Sequence, residues 1–237
     1  MAIESTTITI EASDGQSFLA YRSRPVSDAP IGGLVLIQEI FGVNDNIRAA
    51  SDWFAEQGYD VIAPDMFWRQ ERSIELNAAL EEDRNKAMTL MQGFDLEASL
   101  GDMDAAAALL REDGKLKGKI GVVGYCLGGR VAFRMATSNA ADAVVCFYPV
   151  AISQDLDTST GPQAPLLIHL GADDHLCPPE AQAAITAHVE QSSGSTVTVH
   201  EGVGHAFARL GRTGRAEEAA VSAEAATLDF FQNHFGA

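Results

Sequence analysis

A helix that crosses a bilayer needs about 20 consecutive apolar residues, and no run in this chain comes near that length. Cations are scarce as well: 16 Lys and Arg stand against 33 Asp and Glu, a formal charge of -17. A surface of that sign repels phosphate backbones and anionic headgroups, so neither nucleic acid nor a membrane is an expected partner. Only 3 cysteines are present, an odd number without framework spacing. A disulfide scaffold is therefore not expected, and a reducing, cytoplasmic setting is. Residues Met1 to Glu11 carry neither a basic segment nor an apolar one, so no secretory leader is expected. With 8 prolines and 46% hydrophobic residues in 237, the chain is neither linker-rich nor disordered. One domain spanning 1–237 is expected, with enough length for a full core.

What is present is an alternation of strand and helix signals. Thr6 to Glu11 and Phe18 to Tyr21 alternate around Asp14-Gly15, which predicts an antiparallel hairpin at a sheet edge. Leu34–Ile37 is a continuous apolar run, as expected of a strand covered on both faces. Tyr59–Ala63 and Ile120–Val123 read as further short strands, Ala143–Tyr148 and Pro165–Leu170 as buried ones, and Thr196–His200 closes the set. Helical spacing is expected from about Asn46 to Gln57, in two stretches split at Gly93, after Gly128, and from Pro179 to Gln191. In the longer stretch after Gly93, Leu96, Leu100, Met103, Ala107 and Leu110 form one apolar stripe. In the C-terminal helix Val221, Ala225, Leu228, Phe231 and Phe235 form another. The predicted fold is α/β: a mostly parallel central sheet with an antiparallel N-terminal edge and helices on both faces. In such sheets sites form beyond the carboxyl ends of the strands. The loops after Ile37, Gly124, Tyr148, Leu170 and His200 are thus expected to share one crevice.

Those loops hold the reactive side chains. Lys119-Ile120-Gly121-Val122-Val123-Gly124-Tyr125-Cys126-Leu127-Gly128-Gly129-Arg130 reads as an apolar strand, an abrupt turn and a helix start. It is the layout of a nucleophile elbow, G-x-S-x-G, with cysteine in place of serine. The turn strains its central residue, so small residues are needed two places to either side, and Gly124 and Gly128 stand there. The helix N-terminus aimed at Cys126 favours a thiolate. A cysteine nucleophile needs a base, and a base needs an acid to orient it. His205, framed by Gly202 and Gly204 just past a strand end, is the strongest base among six histidines. His188 and His234 lie on helices facing solvent, and His169 and His200 lie in strands where packing is expected. The acid is Asp173 or Asp174, and spacing does not choose between them. The order nucleophile, acid, His is that of α/β hydrolases. Asp173, Asp174, His175 and Cys177 lack metal-ligand spacing, so no metal and no other cofactor is expected.

Three segments together resemble the dienelactone hydrolase (carboxymethylenebutenolidase) family: Gln38-Glu39-Ile40-Phe41-Gly42-Val43-Asn44, Gly124-Tyr125-Cys126-Leu127-Gly128-Gly129 and Gly204-His205-Ala206-Phe207-Ala208-Arg209. The likeness runs over nearly the whole chain. It implies an α/β-hydrolase fold with Cys126 as nucleophile, His205 as base, Asp174 as acid and Glu39 as the carboxylate paired with the resting cysteine. Arg84 and Arg209 match the arginines that hold the substrate's carboxylate. The backbone N–H groups of Leu127 and Ile40 would form the oxyanion hole. The chain departs from the pattern at Ala206, where the family has serine, at Met88 and Met91, where it has aromatics, and at Phe147, where it has tyrosine; Tyr148 is retained. The implied activity is opening of a dienelactone-like, carboxylate-bearing lactone through a thioester. A broader carboxylesterase or thioesterase on the same triad is the alternative. A small-molecule substrate and a monomer or small homo-oligomer are expected.

Overall fold

The structure is a computed structural model that describes residues 1–26, 30–113, 116, 119–138, 140–157, 161–210 and 215–236. Backbone contacts gather into two compact units, Met1–Ile120 and Gly121–Ala237.

The first unit opens with the hairpin of β1 (Ile3–Glu11) and β2 (Ser17–Pro25), longer at both outer ends than the alternating residues alone suggest. Its turn is set locally. The Asp14 carboxylate accepts the Gln16 N–H at 3.0 Å, and Gly15 takes a φ of 79° that disfavours a side chain. β2 runs antiparallel to β4 (Tyr59–Pro64), which runs parallel to β3 (Gly32–Ile37), in the order β1-β2-β4-β3. Every residue of β3 and β4 is buried, Asp60 of β4 with its carboxylate accepting from the Arg22 guanidinium. Helix α1 (Asp45–Glu56) starts at Asn44, whose side-chain oxygen accepts from the N–H groups of Asn46 and Ile47. α2 (Glu81–Gln92) and α3 (Leu96–Glu112) follow, α3 capped by Asp95.

The apolar stripe expected on α3 is correct only in its C-terminal half. Met103, Ala107 and Leu110 are buried, but Leu96 and Leu100 are half-buried while Ser99 and Asp102 lie inside. A distant partner explains the shift. The Asp102 carboxylate accepts from Trp68 Nε1 at 2.8 Å and from both ends of the Arg69 fork, which compensates burial of its charge.

In the second unit β5 (Ile120–Tyr125), β6 (Ala143–Phe147), β7 (Leu166–Gly171) and β8 (Thr196–His200) are parallel neighbours in that order. Between them run α4 (Leu127–Ala136), a 3-10 turn (Ile152–Gln154) and α5 (Pro179–Val189), and α6 (Glu217–Phe235) ends the chain. Here too one stripe needs correction. On α6 the buried residues are Ala220, Ala223, Glu224, Thr227 and Phe231, whereas Val221 is half exposed. Two polar residues hold this rotated face: Glu224 receives a paired hydrogen bond from Arg215, and the Thr227 hydroxyl meets His169. His188 and His234, expected in solvent, are half-buried against Phe133 and Phe230. Among the described residues no helix is long and apolar enough to cross a membrane.

Candidate active site

The carboxyl ends of the four parallel strands in the second unit each deliver one piece. After β5 the chain turns sharply at Cys126, which has φ 56° and ψ -114°. This backbone is unfavourable for a side-chain-bearing residue, and it persists because neighbours tie both of its peptide groups. The Cys126 N–H donates to Phe147 O at 3.1 Å, and its carbonyl accepts from Gly129, Arg130 and Val150 at 3.0–3.3 Å. The flanking glycines are required by contact. A Cβ on Gly124 would come within 2.1 Å of Gly128 O, and one on Gly129 within 2.9 Å of Pro149 Cβ. Cys126 is 6% exposed and stands directly before α4, whose first turn begins at the buried Leu127. That geometry supplies a helix dipole and unpaired N–H groups to the thiol region.

The remaining cysteines are not placed for chemistry. Complete burial raises the Cys146 thiol pKa well above its usual value. Burial, with Asp174 beside it, pushes Cys177 up to about 11. Both stay protonated and inert at neutral pH.

After β6 comes Tyr148, fully buried, with φ 38° and its N–H donated to His169 O at 2.7 Å. Its ring lies edge-on to the His205 imidazole at 5.2 Å between centroids, and Tyr125 and Phe147 pack against it. After β7 comes the turn that carries Asp173 and Asp174, and here the structure separates two residues that spacing left equal. Asp173 is exposed, and its backbone N–H donates to Val203 O at 3.0 Å. Asp174 has a side chain 1% exposed; one carboxylate oxygen accepts the Leu176 N–H at 2.9 Å, and the other lies 2.8 Å from His205 Nδ1. After β8 comes His205 itself, 12% exposed. With Nδ1 engaged by the carboxylate, Nε2 is the nitrogen left for chemistry. It is buried and has no hydrogen-bond partner among the described residues. A carboxylate-bound imidazole with a clear Nε2 can take and return a proton.

The other residues singled out by sequence are placed as follows. Glu39 lies 1% exposed just past β3, where it accepts a long 3.4 Å bond from Asn46 Nδ2, and Ile40 beside it is half-buried. On α2, Arg84 is exposed and donates from Nη1 to Ala78 O at 2.9 Å; Met88 is 46% exposed and Met91 half-buried. Phe147 is fully buried, stacked at 4.9 Å on Tyr125. Arg209 is half-buried, and Ala206 takes a φ of 63°. Among the described residues no group of three or more His, Cys, Asp or Glu could hold a metal ion. Sequence reading gave no role to Thr227, Glu224 or Asp102, buried polar residues; the partners of Thr227 and Asp102 are far away in the chain, and that of Glu224 lies nine residues before it.

A model of the dienelactone hydrolase family matches residues 18–235. The chain belongs to the dienelactone hydrolase family. It is 37% identical over 223 residues to a carboxymethylenebutenolidase of Pseudomonas putida, covering 94% of each chain. It is 33% identical over 223 residues to carboxymethylenebutenolidase 1 of Cupriavidus pinatubonensis, again covering 94% of each. A solved chain from Klebsiella pneumoniae, provisionally called a dienelactone hydrolase, superposes with a TM-score of 0.84 at 24% identity, covering 98% of this chain and 99% of that one. The fold is that of the α/β hydrolases, mostly parallel with antiparallel N-terminal strands. Membership of the dienelactone hydrolase family makes the protein a hydrolase of that type.

Proposed function

We propose that this member of the dienelactone hydrolase family opens a dienelactone-like, carboxylate-bearing lactone with Cys126 as nucleophile, His205 as base and Asp174 as orienting acid. The whole of 1–237 would serve as one cytoplasmic hydrolase domain. The observation that carries the reading is the 2.8 Å contact from the buried Asp174 carboxylate to His205 Nδ1, which leaves Nε2 without a partner among the described residues at the sheet end that also presents the Cys126 elbow. Conversion of the lactone then needs two displacements. The Cys126 thiolate attacks the ring carbonyl carbon, forming a C–S bond and an oxyanion that, by the family pattern, the Leu127 and Ile40 N–H groups would hold. Collapse breaks the ring C–O bond and leaves a thioester whose leaving oxygen stays tethered. Water then adds to the thioester as His205 takes its proton, the C–S bond breaks to return the thiolate, and His205 passes the proton to the tethered leaving oxygen, giving the ring-opened acid. By the family pattern Glu39 restrains the thiol before substrate arrives, and Arg84 and Arg209 hold the substrate's carboxylate.

A broader carboxylesterase or thioesterase specificity on the same triad is favoured by two features, the half-exposed Met88 and the methyl group of Ala206 in place of a hydroxyl. Rates on a dienelactone, a saturated lactone, a neutral ester and an acyl thioester separate the two specificities. Cys126→Ala abolishes turnover on all of them while the melting temperature stays near that of the unaltered protein. Retained turnover in that variant refutes the assignment.

A further inference from the structure

The aromatic face beside His205 continues into a part of the second unit that the hydrolytic steps do not use. The Tyr148 ring lies 5.7 Å from Phe207, and Phe207 lies 5.0 Å from the His200 imidazole, centroid to centroid. His200 Nε2 is 3.1 Å from His169 Nδ1, and His169 Nε2 is 3.2 Å from Thr227 Oγ1. Phe207, His200, His169 and Thr227 are all buried. The loop they back is the one that carries His205, and it is tied to the Asp174 turn by the bonds Ala172 N–H to His200 O at 2.8 Å and Asp173 N–H to Val203 O at 3.0 Å.

Counting hydrogens along this chain fixes its direction. The buried Thr227 hydroxyl has one acceptor within reach among the described residues, His169 Nε2. If it did not donate there, its hydrogen would be buried without a partner. Donation makes His169 Nε2 an acceptor, so the neutral ring carries its proton on Nδ1 and donates to His200 Nε2. His200 is then an acceptor at Nε2 and carries its own proton on Nδ1. Burial keeps both rings neutral: His169 is held down to about 3, and His200 is shifted in the same direction. The opposite tautomer at either ring would oppose two donors or strand the hydroxyl.

We infer that Thr227 and His169 are positioning residues for hydrolysis: they lock the tautomer and orientation of the His200 ring, which backs Phe207 and the loop presenting His205. This rests on the assignment of His205 as base. Without the hydroxyl, His169 can adopt either tautomer, the His200 ring loses its fixed partner, and the support under Phe207 takes two arrangements.

The test has a spectroscopic arm and a kinetic arm. In nitrogen-15-labelled protein at neutral pH, ring correlations show the Nδ1–H tautomer for both His169 and His200. The Nε2–H form on either ring overturns the inference. In steady-state hydrolysis of a lactone, Thr227→Val lowers kcat about fivefold, the rate equivalent of one neutral hydrogen bond, with KM unchanged. Thr227→Ser restores wild-type kcat, because it keeps the hydroxyl. A change in KM alone, or wild-type kcat in Thr227→Val, overturns the inference and leaves the Cys126 reading standing. Turnover that survives Cys126→Ala overturns that reading instead. Should Thr227→Val fail to fold, the tautomers of the unaltered protein decide.

Discussion

Replacing Asp174 by Asn exchanges one carboxylate oxygen for an NH2 group at nearly constant shape. Both oxygens are in use, one accepting from Leu176 N–H at 2.9 Å and the other lying 2.8 Å from His205 Nδ1. An amide has a single acceptor, so one of these contacts must change. If the amide oxygen stays on Leu176, the NH2 faces His205 Nδ1 and drives the ring proton onto Nε2, where the base can no longer receive one from the thiol. If the amide flips, the NH2 faces the fixed Leu176 N–H, a buried donor–donor opposition that costs about 1–3 kcal/mol. The imidazole can change tautomer and the backbone N–H cannot, so the first arrangement wins.

The expected result is a protein that melts within a few degrees of the unaltered one but turns over about 10^4-fold more slowly. That is the loss seen when a triad acid is made neutral and the base is left in the wrong tautomer. It corresponds to roughly 5 kcal/mol of transition-state stabilisation. Steady-state kcat on a lactone and a thermal melt measure the two parts. Asp173→Asn serves as the comparison, because Asp173 is exposed and meets Val203 only through its backbone; it should leave kcat unchanged. If Asp174→Asn keeps kcat within tenfold, or if Asp173→Asn carries the loss, the orienting role of Asp174 is refuted.

Gly124→Ala places a methyl 2.1 Å from Gly128 O and 2.8 Å from Ala132 Cβ, so it should destabilise the fold by at least about 1–3 kcal/mol and lower kcat by displacing Cys126; unchanged melting and kcat would refute the tight elbow. Arg84→Ala and Arg209→Ala should each lower the rate ratio of a carboxylated lactone to its methyl ester, by roughly 10- to 150-fold if a charge-assisted bond of about 1.5–3 kcal/mol is lost; an unaltered ratio in both removes the clamp. Acid should weaken the protein through His169, which stays neutral when folded down to about 3 but takes a proton near 6.5 when unfolded. Its contribution is fully present above pH 6.5 and is lost as pH falls toward 3, by up to about 1.4 kcal/mol per pH unit. Urea unfolding at pH 7, 6 and 5 should therefore show a steeper decline for the unaltered protein than for His169→Gln, and parallel declines would contradict it.

The parts of the site that sequence made legible are those whose cause is local. The buried strands announce themselves as mainly apolar runs, because both faces of a parallel sheet are covered, though β4 and β7 each carry one buried polar residue, Asp60 and His169. The elbow is legible because Gly124 and Gly128 must be small for the chain to turn at Cys126, and their contacts in the structure show why. Asp174 could not be told from Asp173 in the sequence. What distinguishes them is the Leu176 N–H and the His205 ring, one a matter of turn geometry and the other 31 residues away. The inner face of α6 was misread for the same reason: Glu224 and Thr227 look like surface residues until Arg215 and His169 supply their partners.

Backbone strain divides along the same line. Cys126, Tyr148 and Ala206 all hold positive φ, at 56°, 38° and 63°, conformations that raise the energy by about 1–3 kcal/mol each and persist only where neighbours hold them. Glycines flank the first, so its strain can be read from the chain. Tyr148 donates its N–H to His169 O and has no glycine within two places of it, whereas Ala206, whose carbonyl accepts the Arg209 N–H at 3.3 Å, follows Gly204 by two. Tyr148 and Ala206 both sit against His205, one across its ring and one next in the chain. The orientation of that imidazole thus depends on tertiary contacts that no local pattern encodes, whereas glycine spacing marks the turn presenting the cysteine even though the distant Phe147 and Val150 also hold it.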